Sequence, residues 1–158
     1  MECDLGHLTL SLPDADATRA LGARLAAACP PGTLILLRGP LGAGKTTLVE
    51  GVVHALGAGH AASPTFVIAR EYAGGSMPVS HLDLYRLEDP REVEDLDLGA
   101  YLRADGITLV EWPDRAPGEW PADRIEVELS IDGHGRKADV TIFGALAPIV
   151  AIDHVAAS

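Results

Sequence analysis

The feature that most limits how this chain can fold is a glycine-rich loop placed between an apolar strand and a helix. Thr33 to Leu37 (TLILL) is a continuous apolar run of strand length, which is typical of a strand covered on both faces in a parallel sheet. The sequence GPLGAGKTT follows directly at 39–47. A helical pattern then runs from about Lys45 to Leu56, and Gly57 stands where a C-terminal cap is expected. A strand, a tight loop and a helix in this order predict an α/β domain.

The loop contains the residue types that a cradle for nucleotide phosphates requires. Gly39, Gly44, Lys45 and Thr46 fit the pattern G-x-x-x-x-G-K-[ST]. Glycines allow successive backbone N–H groups to turn toward phosphate oxygens at the positive end of a helix dipole. The lysine adds a compact charge for the outer phosphates, and the threonine hydroxyl can ligate Mg²⁺. The residues predicted to contact the nucleotide here are Gly39, Leu41, Gly42, Ala43, Gly44, Lys45, Thr46 and Thr47.

The rest of the pattern mixes strands with helices and shows neither a repeat nor a long linker, so residues 1–158 are expected to form a single domain. Apolar or alternating runs predict strands at 7–12, 66–72, 77–84 and 107–110, and a helix is predicted after a cap at Asp14 or Asp16. Arg124–Ile131 and Lys137–Phe143 flank a short turn and predict a hairpin at a sheet edge. The predicted fold is a three-layer α/β domain of the P-loop NTPase type, with a mixed, mostly parallel central sheet and a C-terminal edge hairpin.

Charge and composition narrow the class of protein. The net charge of −11 would repel a phosphate backbone, so we do not expect the chain to bind nucleic acid tightly by itself. Two cysteines, Cys3 and Cys29, form neither a disulfide scaffold nor a metal-ligand pattern. No stretch reaches the roughly 20 consecutive apolar residues that a membrane helix needs. We therefore expect a cytoplasmic protein without a membrane anchor.

Two acidic residues are candidates to complete a magnesium site. Glu111 follows the apolar strand Ile107–Val110, and Asp83 follows the strand predicted at 77–84. P-loop proteins place such an acid at a strand end, where it helps to hold Mg²⁺. The spacing does not show which of the two touches the metal, and either could be a solvated acid with no role.

The composition also argues against a conventional GTPase. The chain contains no asparagine, which guanine recognition normally uses, and no glutamine to orient the attacking water as in GTPases. A small-molecule kinase remains an alternative, although its lid would be expected to be basic. The segment after Asp83 instead carries a run of acidic residues, namely Glu88, Asp89, Glu92, Glu94, Asp95 and Asp97.

Four motifs together resemble the TsaE family (formerly YjeE), the P-loop ATPases of bacterial tRNA threonylcarbamoyladenosine synthesis. They are GPLGAGKTT, SPTFVIAREY at 63–72, HLDLYRLEDP at 81–90 and LVEWPDR at 109–115, in that order. The resemblance extends from about residue 16 to 131, and the tail at 144–158 lies outside it. It implies a protein that binds ATP and Mg²⁺ and hydrolyses ATP slowly when alone. It also implies action with TsaB-like and TsaD-like proteins, and contact with tRNA only through that complex.

The resemblance also implies roles for individual residues. Lys45 would bind the β- and γ-phosphates, Thr46 would ligate Mg²⁺, and Thr65 in the Ser-Pro-Thr-Phe stretch would lie near the γ-phosphate. Asp83 and Glu111 would hold or orient the metal and the attacking water. The catalytic set is then Lys45, Asp83 and Glu111, and the metal set is Thr46, Glu111 and Asp83.

Two side chains near these motifs have both a functional and a plain structural interpretation. Trp112 would lie beside the nucleotide in the family, but it could equally pack against the helix that follows the P-loop. His81 is more often a hydrogen-bonded structural residue than a base.

Overall fold

A computed structural model describes residues 4–60, 69–89, 91–92, 98–118, 120–146 and 155–156 of the chain. The helices and strands among these residues are, in chain order, β1 Asp4–Leu12, α1 Ala15–Ala28, β2 Thr33–Arg38, α2 Lys45–Leu56, β3 Gly59–His60, β4 Ala69–Ala73, β5 Val79–Asp83, β6 Ile107–Glu111, β7 Arg124–Asp132 and β8 Gly135–Phe143. Short 3₁₀ turns lie at Leu98–Tyr101, Pro113–Arg115 and Gly144–Leu146.

The described strands form one mixed sheet in the order β1-β8-β7-β2-β6-β5-β4-β3. The central strands β7, β2, β6 and β5 pair in parallel. The outer pairings, β1 with β8, β8 with β7, β5 with β4 and β4 with β3, are antiparallel. The prediction of a mixed α/β sheet is confirmed, but the sheet is not mostly parallel: of the seven pairings among the described strands, three are parallel and four are antiparallel.

The predicted hairpin forms, but its expected place at the sheet edge is wrong. β7 and β8 pair from Arg124 and Phe143 to Asp132 and Gly135, so the hairpin itself is as predicted. β1 then pairs with β8 along its length and becomes the edge strand. Its alternate residues Leu8 and Leu10 pack against the core. This packing stabilises β1 against β8, whose edge would otherwise be unpaired.

Both helices cover one face of the sheet. Asp14 caps α1 by accepting a hydrogen bond from Ala17 N at 2.8 Å, which selects Asp14 from the two predicted caps. α2 ends at Gly57 in the left-handed conformation, as its position in the sequence predicts. The core beneath the helices includes Ile35 and Leu37 of β2. None of the helices in the described ranges has the length and apolar character needed to cross a membrane.

The opposite face is covered differently in the part of the chain that the structure describes. Leu34 and Leu36 of β2 pack there with Leu98 of a 3₁₀ turn and with Trp112 and Trp120. The alternation along β2 explains this division, because successive side chains of a strand point to opposite faces. Among the described residues, this third layer therefore consists of turns and of aliphatic and aromatic side chains.

One predicted strand is shorter than the sequence suggested, and another is described only in part. The strand predicted at 77–84 spans Val79–Asp83. The one predicted at 66–72 appears as Ala69–Ala73, while residues 66–68 lie outside the described part of the chain.

Candidate functional site

The glycine-rich loop joins the C-terminal end of β2 to the first turn of α2. Gly39, Gly42 and Gly44 have positive φ angles of 145°, 81° and 104°, a backbone conformation that favours glycine. A Cβ on Gly39 would lie 2.4 Å from the backbone oxygen of Leu129, so the loop also passes close to β7. Loop and helix together bring backbone N–H groups to the positive end of the α2 dipole.

Lys45 is buried at the start of α2, with 5% of its surface exposed. Its Nζ donates a hydrogen bond to the backbone oxygen of Gly39 and lies 3.6 Å from the centre of the Trp112 ring. Burial lowers the pKa of this ammonium group from its usual value, while the charges of Glu111 and Asp83 act in the opposite direction. The lysine is thus folded back on the loop, close to both candidate acids.

The two candidate acids lie next to each other at the ends of neighbouring parallel strands. Asp83 on β5 and Glu111 on β6 are direct partners in the sheet register. Thr46 Oγ1 lies 3.4 Å from both carboxylate oxygens of Glu111. Asp83 Oδ1 accepts a hydrogen bond from the backbone N–H of Tyr85 at 3.1 Å. Glu111 therefore faces the loop threonine, and Asp83 lies beside it toward the turn that follows β5.

His81 contacts Glu111 directly, a contact that the sequence left open. Its Nε2 lies 2.6 Å from Glu111 Oε2, and both side chains are almost completely buried. His81 and Asp83 are two residues apart on β5, so their side chains share the face of the sheet that α2 covers. The signal in the sequence was this two-residue spacing, but it acquires meaning only once β5 and β6 are known to be neighbours.

Trp112 follows Glu111 and forms part of the site wall. Among the described residues it is the one non-glycine residue with a positive φ, at 60°. Its ring is 5.0 Å from that of Tyr85, and the guanidinium carbon of Arg115 lies about 6 Å from both ring centres. The backbone conformation turns the ring toward Lys45. Trp112 therefore packs against the first residue of α2 and lies beside the site at the same time.

These side chains line one cavity of about 270 Å³. The lining residues are Leu41, Gly42, Gly44, Lys45, Thr46, Thr47, Asp83, Tyr85, Glu111 and Trp112. Of the predicted site residues, Gly39 and the buried Ala43 do not line this cavity, and Thr65 lies outside the described part of the chain. Tyr85 was not predicted as a site residue, although its place just after Asp83 could have indicated it.

A second cavity of about 170 Å³ adjoins the first and shares Gly42, Gly44 and Thr47 with it. Its remaining lining comes from the end of β1, the start of α1, the β7–β8 turn and the start of β8, namely Leu12, Asp14, Ala15, Thr18, His134, Gly135 and Arg136. Arg136 Nε donates a hydrogen bond to Gly42 O at 3.0 Å. These residues come from segments far apart in the chain, so no local pattern in the sequence predicts that they meet at the loop.

The residues present suit a magnesium ion that is bound mainly by phosphate and water. In the described ranges no three His, Cys, Asp or Glu side chains converge as the ligands of a fully protein-bound ion would. Mg²⁺ commonly keeps several waters and takes only one or two protein ligands beside nucleotide phosphates. A hydroxyl facing a carboxylate, as Thr46 faces Glu111, is a donor set of this kind.

Comparison with known proteins agrees with the residues at this site. The family model described as "Threonylcarbamoyl adenosine biosynthesis protein TsaE" matches residues 12–138, which include the loop, both acids and Arg136. The chain belongs to the TsaE family. A TsaE protein of Synechocystis is 52% identical over 111 residues, covering 67% of this chain and 70% of that protein. A TsaE protein of Nostoc is 43% identical over 138 residues, covering 84% of each.

A solved structure extends the agreement to the whole fold. The crystal structure of Bacillus subtilis YdiB superimposes with a TM-score of 0.79 at 28% identity, over 98% of this chain and 95% of that one. The resemblance stated from four motifs is therefore confirmed at the level of family and fold.

Proposed function

We propose that this member of the TsaE family binds and hydrolyses ATP in support of threonylcarbamoyl transfer to the adenosine beside the anticodon of tRNA. One observation carries the proposal. Lys45, Thr46, Asp83 and Glu111, which come from three separate segments, line a single cavity at the start of α2. A glycine loop, a lysine, a hydroxyl and paired acids are the parts that phosphoryl chemistry requires.

In the proposed complex the triphosphate lies along the backbone N–H groups of the loop, with its outer end toward Asp83 and Glu111. Lys45 leaves the carbonyl of Gly39 and contacts the β- and γ-phosphates, a compact ammonium being suited to this role. The ribose and base extend into the second cavity, where Arg136 already contacts the loop. Thr65 as a contact of the γ-phosphate remains a prediction.

Thr46 and Glu111 are the residues that would hold Mg²⁺. The metal, when bound, neutralises charge on the phosphate oxygens. Asp83 is less buried than Glu111 and lies next to it in register, which suits a carboxylate that orients the attacking water. Trp112 excludes solvent from the side of the cavity where Lys45 lies.

Slow hydrolysis by the isolated chain and dependence on partners form part of the same proposal. No glutamine is available to position water, and the chain carries an excess of acidic residues. Hydrolysis then depends on a complex with TsaD-like and TsaB-like proteins, in which tRNA is contacted by the partners. This work would take place in the cytoplasm.

The test compares the two lysines of the chain, Lys45 and Lys137. Lys45→Ala should lower Mg²⁺-dependent phosphate release by about 100-fold or more, because it removes a cation that stabilises charge developing on the phosphates. Lys137→Ala, an exposed change on β8, should stay within about twofold of the original protein and serves as the matched control. Both variants are measured alone and with the two partner proteins. Undiminished release by folded Lys45→Ala would contradict the proposal.

The same assay separates the ATPase from the kinase alternative. With γ-labelled ATP and a mixture of candidate metabolites, the label should appear only in free phosphate. Label that appears instead on a metabolite would favour a small-molecule kinase built on the same loop.

A further inference from the structure

A buried hydrogen bond joins His81 and Glu111 behind the proposed metal position. The Nε2–Oε2 distance is 2.6 Å, and the two side chains are 8% and 5% exposed. With His81 in the tautomer that carries its hydrogen on Nε2, the imidazole donates this hydrogen bond and the Glu111 carboxylate accepts it. Such a charge-assisted bond in a buried site is shorter and stronger than a neutral one.

The geometry leaves the carboxylate facing the loop. Thr46 Oγ1 is 3.4 Å from each oxygen of Glu111, a longer separation than that between Glu111 and His81. The histidine therefore holds the carboxylate tightly from the β5 side, while the threonine faces it across the gap in which a metal would sit. Burial leaves the Glu111 side chain few conformations. The hydrogen bond with His81 that fixes its rotamer therefore also fixes the direction in which its carboxylate oxygens point.

We propose that His81 is a positioning residue for magnesium: its Nε2–H fixes the carboxylate of Glu111 toward Thr46 and so sets how strongly Mg²⁺ enhances nucleotide binding. This inference rests on the proposed function, since it assumes that Glu111 and Thr46 hold the metal of a bound nucleotide. His81 itself touches neither the nucleotide nor the metal. Its effect passes entirely through Glu111.

The experiment measures the dissociation constant of a non-hydrolysable ATP analogue by calorimetry, once in EDTA and once in excess Mg²⁺. The dissociation constant in EDTA divided by that in Mg²⁺ is the enhancement of binding due to the metal. His81→Leu removes the donor, and the ratio should fall about tenfold or more, the usual cost of losing an outer partner of a metal ligand. The constant in EDTA should stay unchanged. His54→Leu, at an exposed histidine of α2, is the matched control and should keep the original ratio.

A conservative variant and a double variant test the path through Glu111. His81→Gln can place an amide N–H where Nε2 stood and should keep the ratio within about threefold, since the donor survives. In a Glu111→Gln background, His81→Leu should cause no further fall. An equal loss of affinity in EDTA and in Mg²⁺ would indicate a merely structural histidine and overturn the proposal. So would an unchanged ratio in folded His81→Leu, or an additional fall in the double variant.

Two further measurements decide the matter if His81→Leu does not fold. His81→Asn carries its amide nearer the position of Nδ1, so it should lose the enhancement that His81→Gln keeps, and equal ratios for the two would overturn the proposal. Nitrogen-15 spectra of the original protein should show a proton on the His81 nitrogen that faces Glu111, and an unprotonated nitrogen there would contradict it.

The outcomes also distinguish this inference from the proposed function. An original protein that binds no analogue at all would remove both. An original protein that binds it with no enhancement by Mg²⁺ would remove the metal site and this inference with it. Strong enhancement that survives His81→Leu would remove only the role of His81.

Discussion

Asp83 and Glu111 are neighbouring acids whose surroundings differ. Glu111 is 4% exposed, is hydrogen-bonded to His81 and faces Thr46. Asp83 is half-buried and holds the backbone N–H of Tyr85 at the edge of the cavity. A buried, fixed carboxylate suits metal binding, and a more accessible one suits contact with water. The sequence placed both acids at strand ends but could not divide these roles between them.

The difference predicts how an Asp83→Asn variant behaves. Its phosphate release with both partner proteins should fall by about 100-fold or more, because the amide cannot accept a proton from the attacking water. Its affinity for the ATP analogue should change by less than about threefold, since in the proposed complex Asp83 does not contact the phosphates. Steady-state kinetics and calorimetry provide the two numbers.

The control for this variant is Glu128→Gln, an exposed acid on β7, which should match the original protein in both measurements. If Asp83→Asn lost affinity and kept its turnover, Asp83 would be a binding residue, and the division of roles would be wrong.

Site residues that belong to a local sequence pattern were predicted, and those that reach the site only through tertiary contacts were not. The loop lysine and threonine were predicted because their neighbours in sequence define the motif. Asp83 and Glu111 were predicted because each follows an apolar strand. His81, Tyr85 and Arg136 gain their positions from strand register and from the hairpin folding back on the loop, and neither is encoded by a local pattern.

At the scale of secondary structure elements, the two helices approach each other through glycines. A Cβ on Gly51 of α2 would lie 2.1 Å from the backbone oxygen of Arg19 on α1. A Cβ on Gly22 of α1 would similarly lie 2.3 Å from the backbone oxygen of Leu48. Because α2 begins at the glycine-rich loop, this close contact also fixes the direction of the helix dipole relative to the sheet.

Gly51→Ala should therefore lower the free energy of unfolding by about 1 to 3 kcal/mol through overpacking. In a helix without this contact the same change would raise it by roughly 0.5 to 1 kcal/mol, because alanine is the better helix former. Urea denaturation followed by circular dichroism measures the sign directly.

Glu50→Ala, at the adjacent exposed position, controls for a change in helix propensity and should stay within about 0.5 kcal/mol of the original protein. Stabilisation by Gly51→Ala would mean that α1 and α2 are farther apart than described.

The elements were predicted best where burial is two-sided. β2 and β6 appear as the apolar runs indicated, because central parallel strands are covered on both faces. The hairpin was recognisable from its turn, but its place in the sheet was not. Strand order depends on contacts between distant segments, here on β1 covering β8, and a single sequence gives no direct signal for them.

At the scale of the whole molecule, the net charge of −11 sets what the chain can bind without partners. A phosphate backbone meets electrostatic repulsion from such a protein. In about 150 mM salt the isolated chain should therefore not retard tRNA in a gel-shift assay, whereas the complex with TsaD-like and TsaB-like proteins should. Salt-sensitive retardation by the isolated chain would show an RNA surface of its own and contradict the indirect contact.

The central claim is that the loop after β2 binds the triphosphate of ATP together with Mg²⁺. A crystal structure with a non-hydrolysable ATP analogue and Mg²⁺ tests it most directly. We expect phosphate density along the backbone N–H groups of residues 42–47, Lys45 turned away from Gly39, and a metal beside Thr46 and Glu111. Nucleotide bound elsewhere, or crystals that leave this cavity empty at saturating analogue, would contradict the account.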